Sequence, residues 1–277
     1  MLLGFIWGAS FILMKKGLNV FTPVQVAAIR MSLASLVTLP FGLRLLNKIN
    51  RSNIVPFMVV AFIGNLIPAF LFSFAQTRVN SSLAGMLNAT TPFFALIFAL
   101  MFFRHKAYWK QIVGIAIGLA GAFGLVMRNG FSDMTFNAYA LLIVVATCMY
   151  GYNVNQVKKF LSGFTGFEIT SLAYLFVFPP SIAALIFSDP TETVANPHFT
   201  MSLIYLVILS IAGSVIAVIF MNMLIQKAGA LFASSVTYVI PVFAIFWGIA
   251  DGESITGVQI FSIFTVLAGV YLVNKSE

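Results

Sequence analysis

The stretch WGASFILMKKGLNVFT, residues 7–22, returns at residues 150–165 as YGYNVNQVKKFLSGFT. Both copies place a glycine, a lysine pair and a Phe-Thr ending at corresponding positions. Further matches follow in the same order along the chain: Ala84 with Ala233, Pro92 with Pro241, Gln111 with Gln259, and Leu119–Ala120–Gly121 with Leu267–Ala268–Gly269. A repeat of this length indicates a duplicated structural unit. The sequence therefore predicts two related domains, residues 1–129 and residues 138–277.

The composition is that of a membrane protein. Of the 277 residues, 61% are hydrophobic and 8% are charged, with a mean hydropathy of +1.03, whereas soluble domains carry about 25% charged residues. Apolar segments long enough to cross a ~30 Å hydrocarbon core as helices fill nearly the whole chain. We predict ten such helices, at 1–18, 23–43, 54–76, 82–103, 109–127, 138–157, 166–187, 201–225, 231–250 and 256–274.

The number of helices in each half determines the architecture. Five is odd, so the second copy must enter the membrane from the side opposite to the first. The predicted fold is an all-α membrane protein with ten transmembrane helices, arranged as two inverted five-helix repeats. Many secondary transporters have this architecture and bind their substrate near the membrane midplane, between the repeats. Some channels share it, so the symmetry favours transport without fixing the mechanism.

Positive charges are distributed unevenly between alternate joints. With the N-terminus inside, ten lysines and arginines fall in cytoplasmic joints: Arg44, Lys48, Arg51, Arg104, Lys106, Lys110, Lys158, Lys159, Lys227 and Lys275. Four fall in the outer joints: Lys15, Lys16, Arg78 and Arg128. This positive-inside bias predicts a multi-pass protein of the bacterial inner (plasma) membrane, with both termini in the cytoplasm. It also explains the net charge of +8 without a nucleic-acid partner.

The chain offers little for catalysis or metal binding. Cys148 is the only cysteine, so neither an intrachain disulfide nor a cysteine zinc cluster can form. His105 and His198 lie in joints. The spans lack the clustered acids or the nucleophile and base that a membrane-embedded enzyme requires. We therefore expect no metal, no cofactor and no enzymatic activity. Because the first copy is shorter at its start than the second, we expect Met1 to lie inside the first helix.

Two prolines, Pro92 and Pro241, occupy corresponding positions near the middle of the predicted fourth and ninth helices. A proline inside a helix frees the carbonyl four residues earlier, here those of Asn88 and Thr237. The neighbouring polar side chains are Asn88, Thr90, Thr91, Thr237 and Tyr238. Lipid cannot satisfy such groups, so they must face protein or a water-filled cavity. A substrate cavity and a packing kink relieved by threonine bonds within each helix both fit this pattern.

Polar and aromatic side chains recur in four other predicted helices. The candidates are Trp7 and Ser10 in the first helix, their counterparts Tyr150 and Asn153 in the sixth, Asn65 in the third and Asn222 in the eighth. Aromatic rings at matched depth suit stacking on a flat ligand, closing a gate, or packing beside a small residue at a helix crossing. The two buried amides suit substrate contact or interhelical hydrogen bonds.

Arg30 lies in the middle of the apolar run PVQVAAIRMSLASLVTLP, residues 23–40. Thr22 and Gln25 form a capping-box pattern with Pro23 between them, so the second helix is predicted to begin there. Arg30 then lies ~12 Å deep, where a charge costs ~2.5 kcal/mol or more. Its repeat counterpart is Ala173, so the fold itself does not require a charge at this position.

The predicted spans contain no acid that could neutralise Arg30, because Glu168 is explained as the cap of the repeated T-x-x-E box. Three roles remain: binding a substrate carboxylate or another anion, for which the guanidinium fork is suited, bonding freed carbonyls, or snorkelling to the outer surface. The missing acids also predict weak or no proton coupling through a buried carboxylate. Facilitated efflux or exchange is preferred, and sodium coupling through carbonyls and hydroxyls stays open.

Four segments of this sequence resemble a known family: WGASF at 7–11, FTPVQVAAIRM at 21–31, VNSSLAGMLNATTPFFALIFALMF at 79–102 and QIVGIAIGLAGAFGLV at 111–126. Their order and duplication resemble the EamA-type branch of the drug/metabolite transporter superfamily, over the whole chain. The resemblance implies ten helices in two inverted five-helix bundles, and export of amino acids or related metabolites. Relatives often carry a Gly-Glu pair after the fourth and ninth helices. This sequence keeps it as Gly252–Glu253 but has Phe103–Arg104 at the other position.

We predict a secondary transporter that exports small metabolites, amino acids or related carboxylate-bearing compounds, by alternating access. Its partners are that solute and the lipid bilayer, and it is a monomer or a homodimer. Gly114, Gly118 and Gly121 lie on one face of the fifth helix, which suits packing within the chain or a dimer contact. The alternative function is a passive channel, which a continuous conductance would favour, whereas saturable counterflow would favour the carrier.

Overall fold

The computed structural model describes residues 1–103, 108–126, 137–189 and 191–274. The described residues are helical, with no strand among them. The main helices are α1 (Leu2–Leu18), α2 (Pro23–Arg44), α3 (Ile54–Ala75), α4 (Ser81–Phe102), α5 (Trp109–Val126), α6 (Ala138–Phe160), α7 (Gly166–Phe187), α8 (Phe199–Ala228), α9 (Ala230–Ala250) and α10 (Gly257–Asn274). Short helical turns, Leu46–Lys48 and Thr191–Val194, lie in two joints. The all-α prediction is confirmed for this part of the chain.

Eight of the described helices, α2 to α9, are long and apolar enough to cross a membrane. The apolar part of α10, Gly257–Val273, is shorter, and α1 has 17 residues. Each predicted apolar segment coincides with a helix to within a few residues. The prediction of a multi-pass membrane protein is therefore confirmed, whereas the inverted arrangement of ten spans stays a prediction.

Several features used in the sequence analysis fall outside the described residues. These are the end of the first predicted repeat at 127–129, Arg104, His105, Lys106, Arg128 and Lys275.

The two predicted capping boxes are present at the starts of α2 and α7. At α2, the Gln25 backbone N–H donates to the Thr22 hydroxyl over 3.3 Å, and the Thr22 N–H donates to the Gln25 side chain over 3.0 Å. Thr165 and Glu168 form the same reciprocal pair at α7. The predicted starts of both helices and the capping role of Glu168 are therefore confirmed. The cap formed by Thr22 and Gln25 fixes the start of α2 and therefore the depth of Arg30 along that helix.

Both proline-containing helices are interrupted just before the proline. The first part of α4 ends at Asn88, and the helix restarts at Thr91, with Pro92 in its first turn. In α9 a 3-10 turn, Ser235–Tyr238, precedes the restart that contains Pro241. The prolines thus lie where each helix begins again, because the first turn of a helix needs no N–H at that position.

Two further irregularities were not predicted. A π-helical segment, Phe62–Leu66, lies inside α3, and a longer one, Leu209–Ile216, lies inside α8. Segments of this kind are rare and occur frequently at functional sites. Four helices in the interior therefore depart from regular α-helical hydrogen bonding. In α3 the π-helical segment comes just before Pro68, which frees the Gly64 carbonyl, whereas α8 contains no proline.

The glycines shared by the two sequence copies are sites of close helix contact. A Cβ atom on Gly8 of α1 would lie 3.1 Å from the Ile240 carbonyl oxygen of α9. A Cβ atom on Gly151 of α6 would lie 2.6 Å from the Ala95 nitrogen of α4. Since neither backbone can move away easily, only glycine permits these approaches. The result is that α1 packs on α9, and α6 packs on α4, each next to the interrupted region.

The glycine face of α5 packs against α10 of the same chain. A Cβ atom on Gly114 would lie 2.5 Å from the Gly269 carbonyl oxygen, and one on Gly121 would lie 2.7 Å from the Val266 nitrogen. Of the two interpretations drawn from the sequence, packing within the chain is therefore the one observed. The two helices contact each other backbone to backbone at this face.

We expect Gly114→Ala to destabilise the protein, because the added methyl group meets a backbone carbonyl that cannot rotate away. Overpacking of this kind costs about 1–3 kcal/mol. Gly257→Ala is the matched control, since a Cβ atom at that position meets nothing within 4 Å. Thermal unfolding in detergent micelles measures both variants. Equal midpoints for Gly114→Ala and the unsubstituted protein would contradict the close contact between α5 and α10.

Candidate functional site

A cavity of about 110 Å³ lies inside the helical bundle, large enough for several water molecules. Among the described residues, its lining comes from α1 to α4 and from α6 to α9, so that α5 and α10 form the periphery. The structure brings most of the predicted site residues together here: Trp7, Ser10, Arg30, Asn65, Asn88, Thr91, Tyr150, Asn153, Asn222 and Thr237. Tyr238 does not line the cavity, and packs against the hydrophobic core instead.

Arg30 is half-buried and directed into the protein. Its Nε donates to the Ser214 hydroxyl of α8 over 2.7 Å. No described carboxylate forms an ion pair with it. Within the described part of the chain, its two terminal nitrogens have no hydrogen-bond partner. Of the roles weighed from the sequence, snorkelling to the outer surface does not fit, and the partner found is a hydroxyl group rather than a carbonyl.

A hydrogen-bond network holds Ser214 in place. The Tyr174 hydroxyl of α7 donates to the Ser214 carbonyl over 2.8 Å and lies 3.2 Å from the Asn65 Oδ1 of α3. Asn65 donates in turn to the Val60 carbonyl over 2.8 Å. Tyr174 is 1% exposed, so its hydroxyl has no access to bulk water. The Arg30 partner is therefore fixed by three helices, and not by α8 alone.

The π-helical segment of α8 supplies two backbone carbonyls, those of Gly213 and Ser214, that accept hydrogen bonds from side chains of other helices. Trp7 of α1 donates its indole N–H to the Gly213 carbonyl over 3.0 Å, next to the Ser214 carbonyl that accepts from Tyr174. Inside a membrane, carbonyls that leave the regular helical pattern need such donors. The irregular backbone of α8 thus fixes the orientations of Trp7 and Tyr174 beside the cavity.

Sequence reasoning missed Ser214 and Tyr174. Two signals could have found them. Ser210, Gly213 and Ser214 form a cluster of small residues in an otherwise apolar segment. Tyr174 directly follows Ala173, the repeat counterpart of Arg30. A polar residue beside the counterpart of Arg30 is a candidate for a hydrogen-bonding role near that charge.

The aromatic candidates differ in their surroundings. The Tyr150 ring stacks on Phe72 of α3, with centroids 6.1 Å apart and 20° between the planes. Phe72 also contacts Phe11 of α1, with centroids 5.7 Å apart. Tyr150 therefore has a packing partner within the protein and also lines the cavity. Trp7 is oriented by its hydrogen bond to α8.

The remaining polar candidates mostly satisfy backbone or neighbouring groups. Thr91 donates to the Asn88 carbonyl and Thr237 to the Ser234 carbonyl, each over 2.8 Å. These are the threonine bonds within the helix that the sequence analysis weighed against a cavity. Asn222 donates to the Thr170 hydroxyl of α7 over 3.1 Å. Thr91, Thr237 and Asn222 also line the cavity, so these side chains bond to neighbouring protein groups and line the cavity at the same time.

Among the described residues that line the cavity, one buried polar side-chain atom lacks a hydrogen-bond partner. The Asn153 Oδ1 of α6 accepts no hydrogen bond from any described residue. Buried polar groups in proteins are nearly always hydrogen-bonded, to protein or to ordered water. Since Asn153 also lines the cavity, its Oδ1 is a free acceptor beside that space.

The lining combines one permanent positive charge with hydroxyls, amides, aromatic rings and methionines. No Asp or Glu is among the described lining residues, and the described residues contain no cluster of three or more possible metal ligands. Such a site can bind a small solute that carries an anionic group. The rings and methionines suit an apolar portion of that solute.

The apolar helices and the polar cavity at the centre of the bundle are those of a multi-pass membrane protein, and such a cavity favours transport. The model of the EamA-like transporter family matches residues 1–127 and again residues 137–275. The chain therefore belongs to the EamA-like transporter family, and the resemblance inferred from the motifs is confirmed.

Relatives along the whole chain are transporters by name. The chain is 28% identical over 290 residues to an S-adenosylmethionine/S-adenosylhomocysteine transporter of Chlamydia muridarum, covering 99% of this chain and 89% of the relative. It is 27% identical to the uncharacterized inner membrane transporter YedA of Escherichia coli K12, covering 96% and 89%. It is 23% identical to a probable terminal-alkyne amino-acid exporter of Streptantibioticus cattleyicolor, covering 97% and 90%. The chain is thus a multi-pass transporter of the inner membrane.

The fold also occurs in a protein of known crystal structure. That protein is 14% identical, with a TM-score of 0.60, and the match covers 99% of this chain and 96% of the other. At this identity the likeness concerns the fold alone.

We expect Tyr174→Phe to lower the free energy of unfolding by about 1–3 kcal/mol, because it leaves the buried Ser214 carbonyl without its donor. Tyr139→Phe is the matched control, since Tyr139 is 40% exposed. Unfolding of both variants in detergent micelles provides the comparison. If the two variants were equally stable, the hydrogen bond between Tyr174 and Ser214 would contribute nothing.

Proposed function

We propose that this chain exports a small carboxylate-bearing metabolite, such as an amino acid or a related compound, by alternating access. The observation that carries the proposal is the state of Arg30. Its Nε is held by Ser214, no described acid neutralises it, and it lines the cavity. A charge at membrane depth is costly and functional by default. A guanidinium with two unused terminal nitrogens is suited to a carboxylate.

The proposed architecture consists of two inverted five-helix repeats, residues 1–129 and residues 138–277. Reciprocal packing supports it. Helix α1 packs on α9 and α8, and its counterpart α6 packs on α4 and α3. The equivalent helices α2 and α7, α4 and α9, and α5 and α10 pack against each other. A twofold relation between two intertwined copies produces this pattern, with the cavity near the axis.

The proposed binding site consists of Arg30 as the anion anchor, surrounded by Trp7, Ser10, Asn65, Asn88, Thr91, Tyr150, Asn153, Asn222 and Thr237. The interrupted regions before Pro92 and Pro241 flank it, as in transporters that build their sites from broken helices. The named relatives support the substrate class. Both S-adenosylhomocysteine and an amino acid carry a carboxylate next to an amino group, and one relative is named an exporter.

The proposed topology has both termini in the cytoplasm, in accordance with the excess of lysine and arginine in the joints on that side. The C-terminal end of α1, with Lys15 and Lys16, then lies at the outer face. Arg30 lies closer to the outer face than to the cytoplasm, since α2 begins outside.

We expect Arg30→Ala to reduce counterflow of a carboxylate-bearing probe into proteoliposomes by at least about tenfold. Removing one partner of a buried hydrogen-bonded charge pair costs about 2–5 kcal/mol, and 1.4 kcal/mol corresponds to a factor of ten. The probes are labelled S-adenosylhomocysteine and a panel of labelled L-amino acids. Adenosine lacks the carboxylate and should not compete.

The matched control is Arg78→Ala, because Arg78 is exposed in the joint between α3 and α4. It should leave counterflow unchanged. Arg30→Lys keeps the charge but loses the planar guanidinium, so its counterflow should lie between that of Arg30→Ala and that of the unsubstituted protein. Counterflow that is equal in Arg30→Ala and in the unsubstituted protein would remove the anchor role.

We expect a pH gradient across proteoliposomes to drive little accumulation of the transported probe, because no described carboxylate lines the cavity. The measurement compares uptake with an acidic exterior, with equal pH on both sides, and with equal pH plus a sodium gradient. Strong uphill uptake under the pH gradient would contradict this expectation and reveal a proton-carrying group.

A further inference from the structure

A cluster of charges joins the C-terminal ends of α1 and α9. The Lys15 Nζ lies 2.7 Å from Asp251 Oδ2 and 2.8 Å from Glu253 Oε1. Lys16 also pairs with Asp251. Both acids follow the last residue of α9, and both lysines lie in the last turn of α1. Two helices are therefore tied together at the same end of the bundle by a network of ion pairs.

Glu253 extends the network to a third helix. Its carboxylate accepts hydrogen bonds from the backbone N–H groups of Ser81 and Ser82, each over 2.9 Å, and from their hydroxyls over 2.8 and 2.7 Å. Ser81 begins α4, where the backbone N–H groups of the first turn have no partner within the helix. An acid at this end of a helix is also favoured by the helix dipole. Glu253 thus caps α4 while it pairs with α1.

Two glycines make this geometry possible. Gly252 has φ +80°, in the left-handed region, which turns the chain after α9 so that Glu253 folds back. A Cβ atom on Gly248 would lie 2.5 Å from Glu253 Oε2, so only a glycine there leaves room for the carboxylate. The Glu253 side chain is 4% exposed. The acid is therefore held in a small enclosed space between α4 and α9.

The charge on Glu253 is strongly stabilised. Burial raises the pKa of its carboxyl, but the hydrogen bonds from Lys15, Ser82 and Ser81 outweigh burial and lower it to about 2. The folded-state pKa lies below the ordinary value, so the stabilisation is complete at neutral pH and is lost only as the pH falls toward about 2. Protonation therefore does not disrupt this cluster under ordinary conditions.

Among the described residues, the opposite end of the bundle has no equivalent of this cluster. Lys158 and Lys159 of α6 match Lys15 and Lys16, but the segment that follows α4, FRHKAY at 103–108, contains no acid. Lys158 donates to the Gln226 carbonyl over 2.8 Å, and the Lys159 Nζ lies 5.2 Å from the centre of the Phe103 ring.

The start of α9 also differs from the start of α4. It begins with Ala230 and Leu231, where α4 has Ser81 and Ser82. An open cleft lined by Phe103, Gly229 and Leu231 lies at this junction. At this junction, no described carboxylate takes the place that Glu253 takes at the other end.

We infer that the cluster of Lys15, Lys16, Asp251, Glu253, Ser81 and Ser82 is a latch that holds the outer gate closed, whereas the described residues at the cytoplasmic ends of α4, α6 and α9 form no such cluster, so that the cytoplasmic gate opens more readily. This inference rests on the proposed alternating-access function and its topology. The helices that it ties, α1, α4 and α9, all line the cavity. Separating their outer ends is the movement that exposes the cavity to the outside, and it requires breaking the cluster.

The consequence is a carrier that rests open to the cytoplasm. Ion pairs that are partly buried resist separation, because removing either partner leaves an uncompensated charge. A bound solute must therefore stabilise the outward-open state enough to overcome the latch. A resting state of this kind suits a protein that collects its substrate inside the cell.

The latch is tested by thiol labelling in intact cells. The background is Cys148→Ala, which removes the single native thiol, and the reporter is Ser10→Cys in the cavity. A membrane-impermeant thiol reagent is added outside. We expect the double substitution Asp251→Asn with Glu253→Gln to raise the labelling rate at least about tenfold, since it removes both acids of the latch.

The matched control is Glu168→Gln, which removes the acid of the ion pair with Lys48 at the other end of the bundle. It should not raise labelling from outside. An unchanged rate in the double variant overturns the latch, and so does an equal rise in Glu168→Gln, which would indicate general loosening. If the double variant does not accumulate in the membrane, Lys16→Gln replaces it under the same criterion.

Two sidedness references separate this result from a failure of the proposed topology. Ala195→Cys should label from outside, and Ser52→Cys should not. Both residues are exposed in joints. Reversed labelling of these references rejects the topology, and the latch is then tested with the same variants in inverted vesicles. No transported solute is used, so a wrong substrate class leaves the outcome of this experiment unaffected.

Discussion

The structure depends on one constraint: every backbone carbonyl and N–H group inside the hydrocarbon region needs a partner within the protein. Four interior helices break the regular pattern, α4 and α9 before their prolines and α3 and α8 at π-helical segments. Donors such as Thr91, Trp7 and Tyr174 satisfy the carbonyls at these places. Polar side chains are therefore drawn to the centre of the bundle, where they also line the cavity. The irregular backbone and the polar site have the same origin.

Arg30 benefits from this arrangement. A guanidinium at this depth requires polar surroundings, and they come from Ser214, a hydroxyl on the irregular segment of α8. Tyr174 fixes the same residue through its carbonyl. A hydroxyl partner leaves the charge of Arg30 uncompensated, which a carboxylate partner would not. The site therefore keeps a positive charge for a ligand while the side chain stays oriented.

Much of the fold could be predicted from the sequence, and the reasons are local. Hydropathy located the helices, and the T-x-x-Q and T-x-x-E boxes located the starts of α2 and α7, because capping depends on residues only three positions apart. The repeat identified Pro92 and Pro241 as the interrupted regions. The π-helical segment of α8 was missed, since α8 has no proline and its irregular carbonyls bond to tertiary partners, Trp7 and Tyr174. Tyr238 was also misplaced: it faces the core although its neighbour Thr237 lines the cavity, because successive residues of a helical turn point in different directions.

The lone charge of Arg30 has an electrical consequence. When gates open alternately around a fixed site, the membrane field falls across whichever side is sealed, and a charge in the site moves through the field without moving in space. Each elementary charge is then worth ~2.3 kcal/mol per 100 mV. A monoanion neutralises the occupied site, so voltage acts on the empty carrier alone. A zwitterion leaves the site positively charged, so voltage acts equally on the conformational change of the occupied carrier and on that of the empty carrier. Current recordings on a planar bilayer would therefore reveal the net charge of the cargo before its identity is known.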